Sequence, residues 1–342
     1  MCCLFGLVDT KHRLSAREKS QMLSMLGTAC EVRGVDATGY AYNFCGNLTI
    51  RKEAVRARNM VFSIPQDAHV IMGHTRMTTQ GSASHRRNNH PFPGILPKNR
   101  FALAHNGVLT NDSQLRLSEN LPKTKIETDS YITVQLIEKE QRLDFGSLKK
   151  MAEAVHGTFA FTVLDRKNNL YFVKGNNPLC LYYFRREGVY LYASTSAILN
   201  TALEAMGRKG LPHEEIEIEE GEIVKINPKG NITREHFQPP VSAYRYDSYY
   251  DGLWDIWEPL EEATPTGYRK YLLDYAALLG IPQQELTWLQ QAGFSDFELE
   301  ECIYDSHCRR LCLLETGYYD ELEDYENGYE SDRLAALPWA KA

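Results

Sequence analysis

Short apolar runs separated by polar turns fill the first 237 residues. The run Cys3-Leu4-Phe5-Gly6-Leu7-Val8 predicts a strand that begins almost at the terminus. Residues 37–44 are rich in strand formers, and residues 47–51 can pair with them across a Cys45-Gly46 turn. Residues 69–74 and 101–105 predict two more strands, each running into a polar loop that contains glycine. A later group of strands is predicted at 158–165, 170–174, 180–184, 189–193 and 222–226. Residues 15–29 predict a helix, with Ser15 as N-cap and Glu18 three residues on, the spacing of a capping box. Residues 129–142 predict a second helix with Ile132, Leu136 and Ile137 on one face. Strands and helices in blocks, without strict alternation, predict packed sheets with helical outer layers.

The pattern changes after residue 237. Residues 238–266 hold Pro239-Pro240, Pro259 and Pro265 among Tyr and Trp, and read as a linker. Its aromatics either fold back onto a surface groove or stay flexible, and both readings stand. From Gly267 the pattern turns helical. Gly280 followed by Ile281-Pro282 marks a stop and a start, Gly293 marks another stop, and Ser295-Asp296-Phe297-Glu298 is a second capping box. Three short helices, 268–279, 282–292 and 296–313, are expected within a small module spanning 267–314. Residues 315–342 form an acidic tail, with eight acidic and no basic side chains between 315 and 332, which suits a solvated segment.

Composition sharpens this division. Hydrophobic residues make up 43% of the 342, enough to build a core and to exclude a chain disordered throughout. The net charge of −7 hides an asymmetry: residues 1–237 carry 31 basic and 24 acidic side chains, and the last 105 carry 7 and 21. The boundary is therefore expected near residue 238. The overall balance does not point to nucleic acid. No apolar run approaches the roughly 20 residues of a membrane span, and the opening run is too short for a secretory signal. A cytoplasmic chain is expected, with no membrane partner and its eight scattered cysteines as free thiols. No metal or cofactor is expected. His74, His90 and His105 lack zinc spacing, and Cys302, His307, Cys308 and Cys312 lack a Cys-x-x-Cys pair, which suits buried thiols in a small helical core.

The candidate chemistry begins at Cys2. An initiator Met is commonly removed before a small residue, and Cys2 would then hold both a thiol and a free α-amine. An α-amine has an ordinary pKa of about 7.7–8.0, so it can serve as a base beside the nucleophile. Alone, a cysteine at this position means little. Four downstream segments change that: Arg33-Gly34-Val35-Asp36-Ala37-Thr38-Gly39; Gly73-His74-Thr75-Arg76-Met77-Thr78-Thr79-Gln80-Gly81, followed by Asn88-Asn89-His90-Pro91-Phe92; His105-Asn106-Gly107-Val108-Leu109-Thr110-Asn111; and Glu127-Thr128-Asp129-Ser130.

In this order behind Cys2, these segments resemble the class II glutamine amidotransferase domain of the N-terminal-nucleophile hydrolases, over about residues 2–237. The resemblance implies a four-layer αββα sandwich, an α+β fold, with the acidic helical part as an appendage. It implies Cys2 as nucleophile, with Asn106 and the Gly107 N–H as oxyanion donors. Arg76 suits the α-carboxylate of glutamine, because a guanidinium pairs with it bidentately, and Asp129 suits the α-ammonium. Arg33 is implied to lie close to the nucleophile, and the Thr79 region to contact substrate. Asn-Gly is also a strong signal for a type I′ hairpin turn, and a tight turn is one way to expose a backbone N–H. Met77 and Gln80 stand where the glucosamine-type motif has Trp and His, and Cys3 stands where Gly is frequent.

Only 105 residues follow the resemblance, too few for an ammonia-consuming synthase, and no pyrophosphatase-type Ser-Gly-Gly loop or P-loop appears. Three readings follow. One is a glutaminase subunit that passes ammonia to a separate synthase. Another is a self-contained amidohydrolase of some other γ-glutamyl amide. The third is a non-catalytic regulatory module. Five site residues retained together argue against the last, while oligomeric state is not legible.

Overall fold

A computed structural model describes residues 2–239, 272–273, 276–277, 281–294, 298–299, 302–303 and 306–319. Most of the expected linker, most of the first expected helix, part of the third, residues 295–297 of the second capping box and the tail from 320 lie outside the described residues. The chain divides into two compact units, Met1–Tyr249 and Tyr250–Ala342.

The first unit holds two antiparallel sheets. One has seven strands in the order β11-β9-β10-β1-β4-β2-β3: β1 (Cys3–Asp9), β2 (Ala37–Phe44), β3 (Asn47–Glu53), β4 (Val70–Arg76), β9 (Cys180–Phe184), β10 (Val189–Ala193) and β11 (Glu214–Glu215). The other has six in the order β13-β12-β8-β7-β6-β5: β5 (Phe92–Leu96), β6 (Asn99–Leu109), β7 (Gly157–Asp165), β8 (Leu170–Lys174), β12 (Glu222–Ile226) and β13 (Ile232–His236).

Side-chain alternation builds the layers. On β1, Cys3, Phe5 and Leu7 pack with Leu23 and Leu26 of α1 (Ala16–Ala29). Leu199 and Leu203 of α5 (Ser196–Ala205) join the same cluster. The opposite face of β1 sends Leu4 and Val8 into a second cluster with Met72, Ala102, Ala104, Ala160 and Phe172, which joins the two sheets. On the far face of the six-stranded sheet, Leu103, Phe161 and Val173 meet Ile132 of α3 (Tyr131–Lys139) and Leu148 of α4 (Phe145–Ala154). The result is helix, sheet, sheet, helix. Each Leu or Phe so buried contributes about 1.5–3 kcal/mol. Within the seven-stranded sheet β1 and β4 leave no room for a side chain at Gly6, where a Cβ would stand 2.2 Å from the Ile71 carbonyl oxygen.

Local signals explain the element ends. Ser15 Oγ accepts the Glu18 N–H at 3.2 Å, and Glu18 Oε2 accepts the Ser15 N–H at 2.8 Å, so the α1 capping box is complete. Cys45 and Gly46 both take positive φ, +49° and +72°, the geometry of a two-residue hairpin matched to strand twist.

In the second unit, α6 (Gln283–Gln291) and α7 (Ser306–Glu315) are helices, and Leu272, Leu286, Leu289, Cys302, Ile303 and Leu313 share a buried cluster. Arg309 Nε lies 3.0 Å from Glu285 Oε2, an ion pair between the two helices. Among the described residues, no helix is long and apolar enough to cross a membrane.

Candidate active site

Register brings the expected groups to one end of the sandwich. Cys3 of β1 stands opposite Thr75 of β4, so Cys2 and Arg76 are neighbours across the strand pair. His74 Nε2 lies 2.9 Å from the His105 carbonyl oxygen, which sets this end of β4 over β6 in the facing sheet.

On the seven-stranded side, Cys2 is partly buried, with Sγ 3.5 Å from the Met77 carbonyl oxygen. Burial pushes its thiol pKa up, and the positive amino terminus and Arg76 work against that rise. Arg33 follows a short 3-10 turn after α1, is buried, and donates from Nε to the Cys2 carbonyl oxygen at 3.3 Å. Arg76 ends β4 and is also buried. Its Nη1 donates to Asn89 Oδ1 at 2.7 Å, and its Nη2 donates to the carbonyl oxygens of Gly81, at 2.9 Å, and Gln80. Thr79 is exposed in the loop after β4. Its neighbour Gln80 reaches the cluster, with Oε1 accepting the Asp129 N–H at 3.1 Å.

On the six-stranded side, Asn106 and Gly107 lie inside β6, opposite Ala160 and Phe159 of β7. The Asn-Gly turn expected from local chemistry is therefore absent, because an uninterrupted ladder from Phe101 to Leu109 holds the pair in a strand. Gly107 has φ +143°, and a Cβ there would stand 1.9 Å from the Thr158 carbonyl oxygen, so no side chain fits. Strand alternation sets the direction of its N–H. Leu109 N donates to Asp129 Oδ2 at 2.6 Å, away from β7. Gly107 N–H, two residues back, faces the same edge of β6, which β5 covers only at residues 99–103.

The Asn106 side chain is fully buried, and neither Nδ2 nor Oδ1 has a hydrogen-bond partner among the described residues. Leaving a buried donor or acceptor unpaired costs about 1–3 kcal/mol. Asp129 is buried just before α3, one residue before the N-cap Ser130, so the helix starts later than the expected residue 129. Its Oδ1 accepts the Ser130 hydroxyl at 3.2 Å.

Three histidines occupy the seam. His74, His90 and His105 are all buried, and burial lowers the pKa of each, that of His74 to about 3. Among the described residues, no group of three or more His, Cys, Asp or Glu side chains could hold a metal. Cys3 turns away from Cys2 into the α1 cluster, its Sγ 3.0 Å from that of Cys30, so it does not crowd the nucleophile. Asn89, Gln80 and His105 lie in the site's sequence segments with no local mark of a site role, since their contacts span separate loops. Ser130 carried one signal: a Ser beside the candidate Asp.

Residues 74–201 match the glutamine amidotransferase domain family. Over 213 residues the chain is 32% identical to a glutamine–fructose-6-phosphate aminotransferase (isomerizing) of Staphylococcus aureus, covering 59% of this chain and 34% of that protein. A protein of the same name from Listeria innocua is 31% identical over 189 residues, covering 53% and 30%. The chain thus spans about one third of the length of these curated relatives. Its fold is shared with the glutamine phosphoribosylpyrophosphate amidotransferase of B. subtilis, with TM-score 0.56 and 21% identity over 69% of this chain and 49% of that one. It is shared too with an allosteric regulatory enzyme of purine biosynthesis, with TM-score 0.57 and 21% identity over 81% and 58%. Over residues 74–201 the chain therefore matches the glutamine amidotransferase domain family, and its fold is one that such amidotransferases share.

Proposed function

We propose that the first unit hydrolyses the side-chain amide of glutamine through Cys2 and hands the ammonia to a separate synthase. The observation that carries this reading is the buried, unpartnered Asn106 amide beside an outward Gly107 N–H. Two donors held at an open strand edge suit an oxygen that gains charge during reaction. Arg76 would take the α-carboxylate, and Asp129 the α-ammonium. Arg33 steadies the Cys2 backbone.

With Met1 removed, the Cys2 α-amine accepts the thiol proton. The thiolate then attacks the side-chain carbonyl carbon, and the oxyanion is held by Asn106 Nδ2–H and Gly107 N–H. The C–N bond breaks as the α-ammonium of Cys2 protonates the leaving nitrogen. Ammonia departs, and water cleaves the γ-glutamyl thioester to glutamate. Transfer of that ammonia to an acceptor follows the names of the relatives, which are aminotransferases. The second unit, acidic and with its own core, is a candidate docking piece for such a partner.

Intact mass before and after a glutamine-mimicking diazoketone tests the site. The expected result is loss of Met1 and one adduct, absent from Cys2→Ala. A folded chain that keeps Met1 and takes no adduct would overturn the proposal.

A further inference from the structure

We propose that Ser130 is a positioning residue whose hydroxyl alternates between two acceptors, His105 and Asp129, and so presents one Asp129 oxygen to the ammonium of the substrate. This rests on the glutamine site described above. Ser130 is the N-cap of α3, where a serine ordinarily accepts a backbone N–H of the first helical turn. Here its side chain makes no such cap bond. The hydroxyl is buried and aimed inward, 2.8 Å from His105 Nδ1 and 3.2 Å from Asp129 Oδ1.

Proton accounting makes the two contacts exclusive. His105 Nε2 lies 3.2 Å from the Thr158 carbonyl oxygen, which can only accept, so the proton of the neutral ring sits on Nε2. Burial favours the neutral ring. Nδ1 is then an acceptor and takes the Ser130 hydroxyl proton. That hydroxyl has one proton and cannot also donate to Asp129.

Asp129 Oδ2 is fixed by the Leu109 N–H in either state. With the site empty, the hydroxyl turns to Oδ1 and covers it. With glutamine bound, the hydroxyl turns to His105, and Oδ1 takes the α-ammonium. A small rotation thus keeps a buried carboxylate hydrogen-bonded throughout, where leaving it bare would be costly. His105, which faces the Ser130 hydroxyl, and Leu109, whose N–H holds Asp129, flank Asn106 and Gly107 on β6. One strand therefore fixes both the ammonium site and the oxyanion donors.

The test is glutamine binding by calorimetry in the full-length Cys2→Ala chain, which binds without turnover. Adding Ser130→Ala should tighten glutamine binding about tenfold, because the hydrogen bond to the charged Oδ1 that glutamine must displace is gone. Adding Ser130→Thr, which keeps the hydroxyl, should return it to the original value. Glutaramate, which lacks the α-amine, should bind all three alike. In the active chain Ser130→Ala should lower KM for glutamine far more than it changes kcat. Unchanged or weaker glutamine binding in Ser130→Ala overturns the proposal for Ser130 alone, as does an equal change for glutamine and glutaramate, which would mark a purely structural role. No glutamine binding by Cys2→Ala itself would overturn the glutamine reading and this inference together.

Discussion

On the seven-stranded sheet, the charged groups of the site are already engaged by the protein. Arg76 donates to Asn89 and to two carbonyl oxygens, and Arg33 holds the Cys2 carbonyl. On the six-stranded sheet, Asn106 is buried with its amide unpaired. The contrast follows from cost. A buried charge without partners is far more expensive than a buried amide, so the guanidinium groups must be fixed before substrate arrives. A neutral amide can wait. In the proposed reaction its donor would be satisfied only when an oxyanion forms, which makes its binding stronger in the transition state than in the ground state. The guanidinium groups are thus fixed in advance, and the Asn106 amide is left to meet the developing charge.

The sharpest way to break this comparison is Asn106→Ala. Loss of one oxyanion donor is expected to lower kcat by about 10²–10³ while KM for glutamine changes little. Because the side chain has no hydrogen bond to lose, thermal unfolding should not move down with activity. A fall in Tm as steep as the loss of kcat would mean that the amide is a structural group.

Asp129→Ala should behave in the opposite way. The carboxylate is already bonded to Leu109 N and Ser130, so its loss leaves a buried N–H unpaired and costs about 1–3 kcal/mol of stability. KM for glutamine should rise about 10–100-fold, with a smaller rise for glutaramate. Equal rises for both amides would remove Asp129 as the ammonium site.

Much of this was legible locally. The strands at 170–174, 180–184, 189–193 and 222–226 match the structure residue for residue, since each is a short apolar run between polar turns. The Ser15 capping box needs only four residues to be read. The missed helices α4 and α5 had weaker marks, Asp144 and Thr195 at their N-caps, with the buried stripes Leu148–Met151–Ala152 and Ile198–Leu199–Ala202 behind them. Asn106-Gly107 shows where local reading fails. The dipeptide favours a turn, but nine consecutive pairings to β7 outweigh two residues of propensity. Within the motif after β4, Gln80 reaches Asp129, a contact between separate loops that no local pattern marks. That the Asn106 amide stands unpaired is a property of everything around it, and no residue of its own announces it.

His74 joins the two halves of the comparison and yields a smaller, pH-dependent effect. Its Nε2 faces the His105 carbonyl oxygen across the sheets, so Nε2 carries the proton and the ring is neutral. Burial lowers its pKa from the ordinary 6.5 to about 3, with Arg76, His105 and Lys52 adding positive potential. In the unfolded chain the ring takes up a proton as pH falls below about 6.5, while in the folded chain it does not until about pH 3. The unfolded state thus binds one more proton across that window. Stability from this group is fully present above pH 6.5 and is lost as pH falls, by about 1.4 kcal/mol per pH unit at most. His74→Gln keeps an amide donor for the His105 carbonyl and cannot titrate there. The variant should be less stable near neutral pH, and its deficit in urea unfolding should shrink steadily on acidification. His90 and His105 titrate in both proteins, so the difference isolates His74. A deficit that stays constant with pH would mean that the ring takes up its proton alike in the folded and unfolded chains, and that burial in the seam does not hold it neutral.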